Sequence, residues 1–427
     1  MIFIHLTPYN EELEPWLLEY IEVYDNNNLN NQGYCKERVV ITPPYGYAPS
    51  PKYAISFSED YTEIVNNAFS YTQAGELLKN IINKHEHIIF SGLRSIAMFK
   101  KLCARLLLPN LLTPYKKVSS FKTLLKAAML FKQVYPLEFE GKFKQLSNTI
   151  SGDGFLIKPE SSYNITLLDY VYNIYQDLLR KQPKLLSYFI NKQYRFPTDL
   201  RNNNKFTIAI TDDSFFVFLP LFDTVSDIVG IDLKSAIDSS NSKTENHKSI
   251  FVLPKYGSTL FCVNTVLKDI PLQFTKYNLN EIEQLKNKYI KDFIQQELFY
   301  DYLHQAQDAL NNKYLDIYSL LINNKVDQVY EDHKFIKITN SRRDYLQLNN
   351  EIIKLKDQSF EFVLDYMLHE CPNKISTYHL KGYQNVINER ILKYQDRIEK
   401  QFEEIANKAI GNEKITQKLE NLYSLIP

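Results

Sequence analysis

Glycine is scarce, with 11 residues in a chain of 427, against an ordinary share of about 7%. The one G-x-G is Gly152-Asp153-Gly154, and Ile157 stands where a dinucleotide fingerprint needs its third glycine. Walker-type and dinucleotide-type phosphate loops are therefore excluded. The four cysteines, Cys35, Cys103, Cys262 and Cys371, lie too far apart for C-x-x-C metal knuckles or a small disulfide framework. No apolar run approaches the roughly 18 residues of a membrane span, because Arg105 and Lys126 interrupt the best candidates. The opening Met1-Ile2-Phe3-Ile4-His5-Leu6 has no basic n-region and reads as a strand, not a signal peptide. These absences predict a cytoplasmic soluble protein without a membrane partner. Charge of one sign is missing too: Lys+Arg and Asp+Glu both number 50. Binding to nucleic acid through an overall field is excluded, so any such site has to be a local patch. There is also no H-E-x-x-H and no G-x-S-x-G.

Hydrophobic residues at 44% and charged residues at 23% give the composition of a globular protein. The length suggests about three domains. Tyrosine and phenylalanine are abundant, at 31 and 26 residues. Two readings stay open: an AT-rich coding sequence, or aromatics that stack on bases.

Residues 1–6, 19–24 and 37–42 read as strands, with Ile88-Ile89-Phe90 a short fourth. Amphipathic helices are predicted near 72–84, 95–107, 119–132 and 165–180. In the last, Leu167, Val171, Ile174 and Leu178 recur at spacings of three and four. Strands alternating with helices predict an α/β layer fold. From about 195 to 275, Phe206–Ile210, Phe215–Leu219, Val229–Ile231 and Ile250–Leu253 read as short strands, which suggests a small β-barrel or sandwich. After Asn278 the pattern is helical. Ile391, Ile398, Phe402, Ile405 and Ala409 give the final helix an apolar seam that predicts packing on neighbouring helices.

Acids are absent from the 51 residues between Glu86 and Glu138, where the chain's own acid frequency would supply about six. The same segment carries nine cations: Arg94, Lys100, Lys101, Arg105, Lys116, Lys117, Lys122, Lys126 and Lys132. Cations along phosphates release counterions and bind without regard to sequence. The alternative is nine solvated side chains scattered around several helices. A shorter basic stretch runs from His333 through Lys334 and Lys337 to Arg342 and Arg343, beside Phe335 and Tyr345. That mixture suits single strands, whose bases stack on rings. His85 and His87 would share one side of a strand, but only Glu86 is near, so a surface reading is preferred to a metal pair. His369, Cys371 and His379 lack an orienting carboxylate and make a weak nucleophile pair.

Several short segments, taken in order, resemble bacterial exodeoxyribonuclease I. Tyr47-Ala48-Pro49-Ser50-Pro51 followed by Ile55-Ser56-Phe57-Ser58 resembles its Y-x-P-x-P…I-T-G turn. Val171-Tyr172, Lys181-Gln182-Pro183-Lys184-Leu185 and Tyr188 resemble D-V-Y…R-Q-P-R-L-x-x-Y. Phe216-Val217, Pro220-Leu221, Ile231-Asp232-Leu233 and Val263-Asn264-Thr265 resemble strands of its SH3-like middle domain. Tyr366-Met367-Leu368-His369-Glu370-Cys371-Pro372 sits where the family carries Y-R-A-R-N-F-P, so Met367 and His369 replace two arginines. The resemblance implies an α/β RNase H-like exonuclease domain over residues 1–194, a small SH3-like β domain over 195–280 and an α-helical C-terminal domain over 281–427. It also implies a monomer that degrades single-stranded DNA from its 3′ end and contacts single-stranded DNA-binding protein.

The family's chemistry uses two Mg²⁺ ions, four carboxylates and a histidine. The first strand's F-H-D-x-E places its acids at Leu6 and Pro8. The third falls at Ala97 or Met98. The closing H-D-A-x-A-D-V-Y puts Ile165 at the histidine and Tyr170 at the last acid, with Asp169 one residue, or about 100°, away. Asp169 is thus the one candidate near a family acid position, no metal or other cofactor is expected, and the sequence predicts a degenerate exonuclease I-like protein that binds single-stranded DNA or a DNA-repair partner. The residues predicted to contact DNA are Arg94, Lys100, Lys101, Arg105, Lys116, Lys117, Lys122, Lys126, Arg342 and Arg343. Two alternatives remain. One is an active, Mg²⁺-dependent exonuclease with displaced acids such as Glu11, Glu12 or Asp169. The other is a structural protein whose cations are dispersed over opposite faces.

Overall fold

The computed structural model describes residues 1–10, 13–24, 34–47, 49–51, 67–112, 116–132, 167–183, 186–187, 190, five strands between 206 and 264, 284, 329–330, 338, 357–408, 416–417 and 419–420. Strands β1 (Ile2–Pro8), β2 (Pro15–Val23), β3 (Tyr34–Val40), β4 (His87–Phe90) and β5 (Lys117–Ser120) form one sheet in the order β3-β2-β1-β4-β5. The β1–β2 and β2–β3 pairs are antiparallel. The β1–β4 and β4–β5 pairs are parallel. Parallel neighbours need crossover connections, and α1 (Tyr71–Lys84) and α2 (Leu93–Arg105) supply them. Helices α3 (Phe121–Lys132) and α4 (Leu167–Lys181) complete the α/β layer.

Local signals explain the elements. Helix α1 opens on a capping box, in which Ser70 Oγ accepts from Gln73 N–H and the Gln73 side chain accepts from Ser70 N–H. In α4, Val171, Ile174 and Leu178 of the predicted stripe are buried, together with Leu168. Every residue of β2 is buried, as expected for a strand flanked by neighbours and covered on both faces. Strand β5 is absent from the sequence reading. Its four residues, Lys117-Val118-Ser119-Ser120, hold one aliphatic side chain, and pairing with β4 is what makes them a strand.

Strands β6 (Phe206–Ile210), β7 (Phe215–Asp223), β8 (Asp227–Asp232), β9 (Ile250–Pro254) and β10 (Leu260–Asn264) form a second sheet, antiparallel throughout, in the order β10-β6-β7-β8-β9. Strands β9 and β10 stand at opposite edges, so the described strands make an open sheet, where a barrel or sandwich was expected. The β7–β8 register slips between Pro220 and Phe222, where proline has no N–H to give to the ladder. Helix α3 runs alongside β6 and β10.

Helix α5 (Asp357–Glu370) ends just before a short 3₁₀ turn that starts at Pro372, and α6 (Thr377–Lys408) follows. Of the predicted seam of the last helix, Ile398 and Phe402 are buried and Ile391 and Ile405 half-buried, while Ala409 lies outside the described residues. One core joins the two ends of the chain. Ile2, Ile4 and Leu6 of β1 and Phe99 and Leu102 of α2 pack in the same cluster as Val363, Leu364 and Met367 of α5 and Tyr383 of α6. Burying each such side chain is worth about 1.5–3 kcal/mol.

Candidate active-site face and nucleic-acid interface

Residues that pair directly across strands point to the same face of a sheet. His5 pairs with Glu19, and Glu19 with Arg38. Phe3 pairs with Ile21, and Ile21 with Lys36. Helix α4 covers this face: the Phe3 ring meets Tyr172 and Tyr175 edge-on, with centroids 5.5 and 4.9 Å away. Asp169, in the first turn of α4, is ion-paired with Lys36. Glu19 is ion-paired with Arg38 at 3.2 Å. Burial raises the Glu19 carboxyl above its usual range, Arg38 and Lys36 oppose the rise, and the Asp169 charge adds to it. Two carboxylates and two cations thus share the face.

His5 lies in β1 just beyond the last residue paired with β4. Its Nδ1 shares a hydrogen bond of 2.7 Å with Ser91 Oγ, which in turn is 2.8 Å from Ser95 Oγ. Burial, with the positive charges of Lys122 and Arg94 behind it, lowers the imidazole to about 4. The ring is therefore neutral at physiological pH. Thr7 Oγ1 stands 3.5 Å from His5 Nε2.

The positions facing α4 on β1 are Phe3, His5 and Thr7. Leu6 turns the other way, into the core with Ile2 and Ile4. A one-residue slip exchanges the two faces of a strand, yet neither register supplies a carboxylate. Pro8, Ala97 and Met98 are buried as well. Among the described residues no three of His, Cys, Asp and Glu converge as metal ligands. Mg²⁺ takes oxygen ligands in octahedral array; Leu6, Pro8, Ala97 and Met98 offer no side-chain oxygen. Asp169 and Glu19 already have cationic partners. Among the described residues, this set of side chains does not fit a two-metal centre. Glu11 and Glu12 lie outside the described residues. Glu19 escapes sequence reading because it and Glu22 are the two acids of an otherwise apolar run. Its signal would have been a carboxylate inside a strand buried on both faces.

The basic segment divides once folded. Arg105 is 1% exposed: its guanidinium donates to Glu14 at 3.3 Å and to the Pro15 carbonyl at 2.6 Å, and lies 5.3 Å over the Tyr71 ring. It was expected to reach DNA, but its charge is held inside. Lys101 is ion-paired with the same Glu14, and Lys100 is buried. Lys116 donates to the carbonyls of Ile82 and His85 at 2.8 and 2.7 Å and caps the end of α1. Lys117 pairs with Glu86 at 2.7 Å. Arg94 and Lys122 are half-buried in the first turns of α2 and α3, and Lys126 is half-buried one turn further along α3. Arg342 and Arg343 lie outside the described residues. The histidine pair is also corrected. His85 caps α1 before β4 begins, is buried, and meets Glu22 at 3.0 Å and the N-terminal amine at 3.2 Å.

The Y-x-P-x-P turn grips the C-terminal helices. His369 lies between Tyr45 and Tyr71, with centroids 4.3 and 4.5 Å away. Arg390 donates to the Tyr45 carbonyl at 3.0 Å, pairs with Glu361 at 2.8 Å and stacks 4.6 Å over Tyr47. Buried Asp365 accepts from Tyr71 at 3.0 Å and from Tyr383. Met367 and His369, which stand in the place of two family arginines, are thus used in packing.

No known protein family and no curated protein matches the sequence. Solved structures do match the fold. An exonuclease I from Methylocaldum szegediense aligns with a TM-score of 0.63 at 11% identity, covering 99% of this chain and 98% of that one. E. coli exonuclease I in complex with a dA16 oligonucleotide aligns with a TM-score of 0.66 at 10% identity and the same coverage. A zinc-bound complex of the E. coli enzyme with single-stranded DNA gives 0.66 at 10% identity, again over 99% and 98% of the two chains. A mixed sheet, a five-stranded antiparallel sheet and helices closing back onto the first strand therefore make up the exonuclease I fold, carried from one end of this chain to the other.

Proposed function

We propose that this protein binds single-stranded DNA, directly or together with a partner such as single-stranded DNA-binding protein, and does not hydrolyse it. The observation that carries the reading is the face under α4, where Lys36 and Arg38 neutralise Asp169 and Glu19 and no other acid replaces the family's carboxylates among the described residues. Without convergent carboxylates the two-metal route has no foundation. Loss of a negative cluster also removes repulsion from a phosphate backbone. In this reading residues 1–194 are the RNase H-like domain, 195–280 the SH3-like domain and 281–427 the helical domain of a cytoplasmic monomer that serves DNA repair. Support comes from the E. coli exonuclease I structures of the same fold, which hold oligonucleotides. Equilibrium binding to an oligonucleotide tests it: affinity should be present at low salt and fall steeply as salt rises. Absence of affinity at low salt would sink the proposal.

One observation favours a second reading. Glu19 and Asp169 act on each other electrostatically, so an exonuclease with displaced acids would be built on these two. It would need Lys36 and Arg38 to swing away and a Mg²⁺-dependent activity that Asp169→Ala abolishes.

A further inference from the structure

Arg94 and Lys122 of the basic segment share one edge of the first sheet. Strands β4 and β5 run in parallel with Phe90 opposite Ser120, so the chain leaves both at the same edge of the sheet. Arg94 is in the first turn of the helix that follows β4, and Lys122 in the first turn of the helix that follows β5. The β1–β4 ladder ends beside them: Ile4 pairs with Phe90, and His5 is bonded to Ser91 at 2.7 Å. Both cations are half-buried. Their fields converge on His5, where after burial they are the next causes opposing its protonation. The neutral imidazole adds no charge, and Glu19, which pairs with His5 across the strands, is itself ion-paired with Arg38.

This edge is the carboxyl end of the parallel strands, where open α/β sheets receive ligands. A phosphodiester arriving there meets positive charge from two side chains, without a metal ion to bring it. A guanidinium offers a fork to phosphate oxygens and an ammonium a point charge. We propose that Arg94 and Lys122 form a metal-independent seat for a backbone phosphate of single-stranded DNA, beside His5 at the carboxyl edge of β4 and β5. The seat rests on the DNA-binding reading above and names where on the molecule it operates.

Anisotropy of a fluorescein-labelled oligothymidylate, titrated with the full chain across a salt series, tests the seat. Arg94→Gln and Lys122→Gln should each flatten the slope of log affinity against log salt by roughly 0.7, and the double variant by about twice that. The unaltered protein should bind equally in EDTA and in Mg²⁺. The exchange Arg94→Lys with Lys122→Arg, which keeps both charges, should keep most of the slope. A double glutamine variant with unaltered slope and affinity would overturn the seat, as would binding that EDTA abolishes. So would an exchange variant as impaired as the glutamine one, because the effect would then be structural. Failure of the unaltered protein to bind at all is a different result, one that removes the DNA-binding reading and the seat with it.

Discussion

Glu14 holds the largest share of the basic segment's charge. Burial alone would raise its carboxyl, but Lys101 and Arg105 outweigh burial and hold it below the usual range. Removing one member of a buried ionic group leaves uncompensated charge, at a cost of about 3–5 kcal/mol. Glu14→Gln should therefore lower the unfolding free energy by about that much in urea titrations at neutral pH; a loss under about 1 kcal/mol would contradict the buried triad. A depressed carboxylate contributes stability above its unfolded pKa and loses it as pH falls through the folded one. His5 works at higher pH. With the folded imidazole at about 4 and its ordinary value at 6.5, the unfolded chain takes the proton first, so stability drops as pH falls from 6.5 towards 4. His5→Gln should flatten this part of a melting-temperature profile; an unchanged profile would mean the ring is not held neutral by the fold. Neither residue's role was legible in the sequence. A basic run shows charge, but Glu14 lies 91 residues from Arg105, and only the fold brings them together.

At the scale of elements, the turn at 42–51 and the helices α5 and α6 form one clamp. Gly46 has φ +77°, and a Cβ there would lie 3.0 Å from the Ile387 carbonyl oxygen on α6. Gly46→Ala combines left-handed strain of about 1–2 kcal/mol with that contact, and differential scanning calorimetry should show a lower melting temperature. An unchanged melt would mean the turn is not seated on α6. Tyr383→Phe takes one of two hydroxyl donors from buried Asp365 and should cost about 1.5–3 kcal/mol in chemical unfolding, as for a hydrogen bond to a charged group. Elements with period were readable: α1, α2, α3 and α4 fall within two residues of the sequence reading at each end. Strand β5 was not, because pairing and not composition defines it. The clamp was visible only as the tyrosine- and proline-rich motif around Tyr47, with nothing to say what it would grip.

For the whole molecule, the exonuclease I fold was legible through collinear fragments such as Val171-Tyr172 and Tyr366–Pro372, although identity to the solved structures is only 10–11%. The first-strand comparison puts Leu6 at a family acid position, and in the structure Leu6 faces the core while His5 faces α4. Period-two alternation sets which faces exist, and only the packing shows that α4 covers the face of Phe3 and His5. The charge balance of 50 against 50 conceals a sorting in which Arg105, Lys101, Lys116 and Lys117 hold the protein together while Arg94 and Lys122 gather at one edge.

The most direct measurement is cleavage itself. The purified protein is incubated with 5′-labelled single-stranded DNA in Mg²⁺ and then in Mn²⁺, with binding verified under the same conditions, and the products are resolved on a denaturing gel. A face neutralised by Lys36 and Arg38 predicts a bound but intact strand in both metals. A ladder shortening from the 3′ end would contradict it, and loss of that ladder in Asp169→Ala would mark Asp169 as a working ligand.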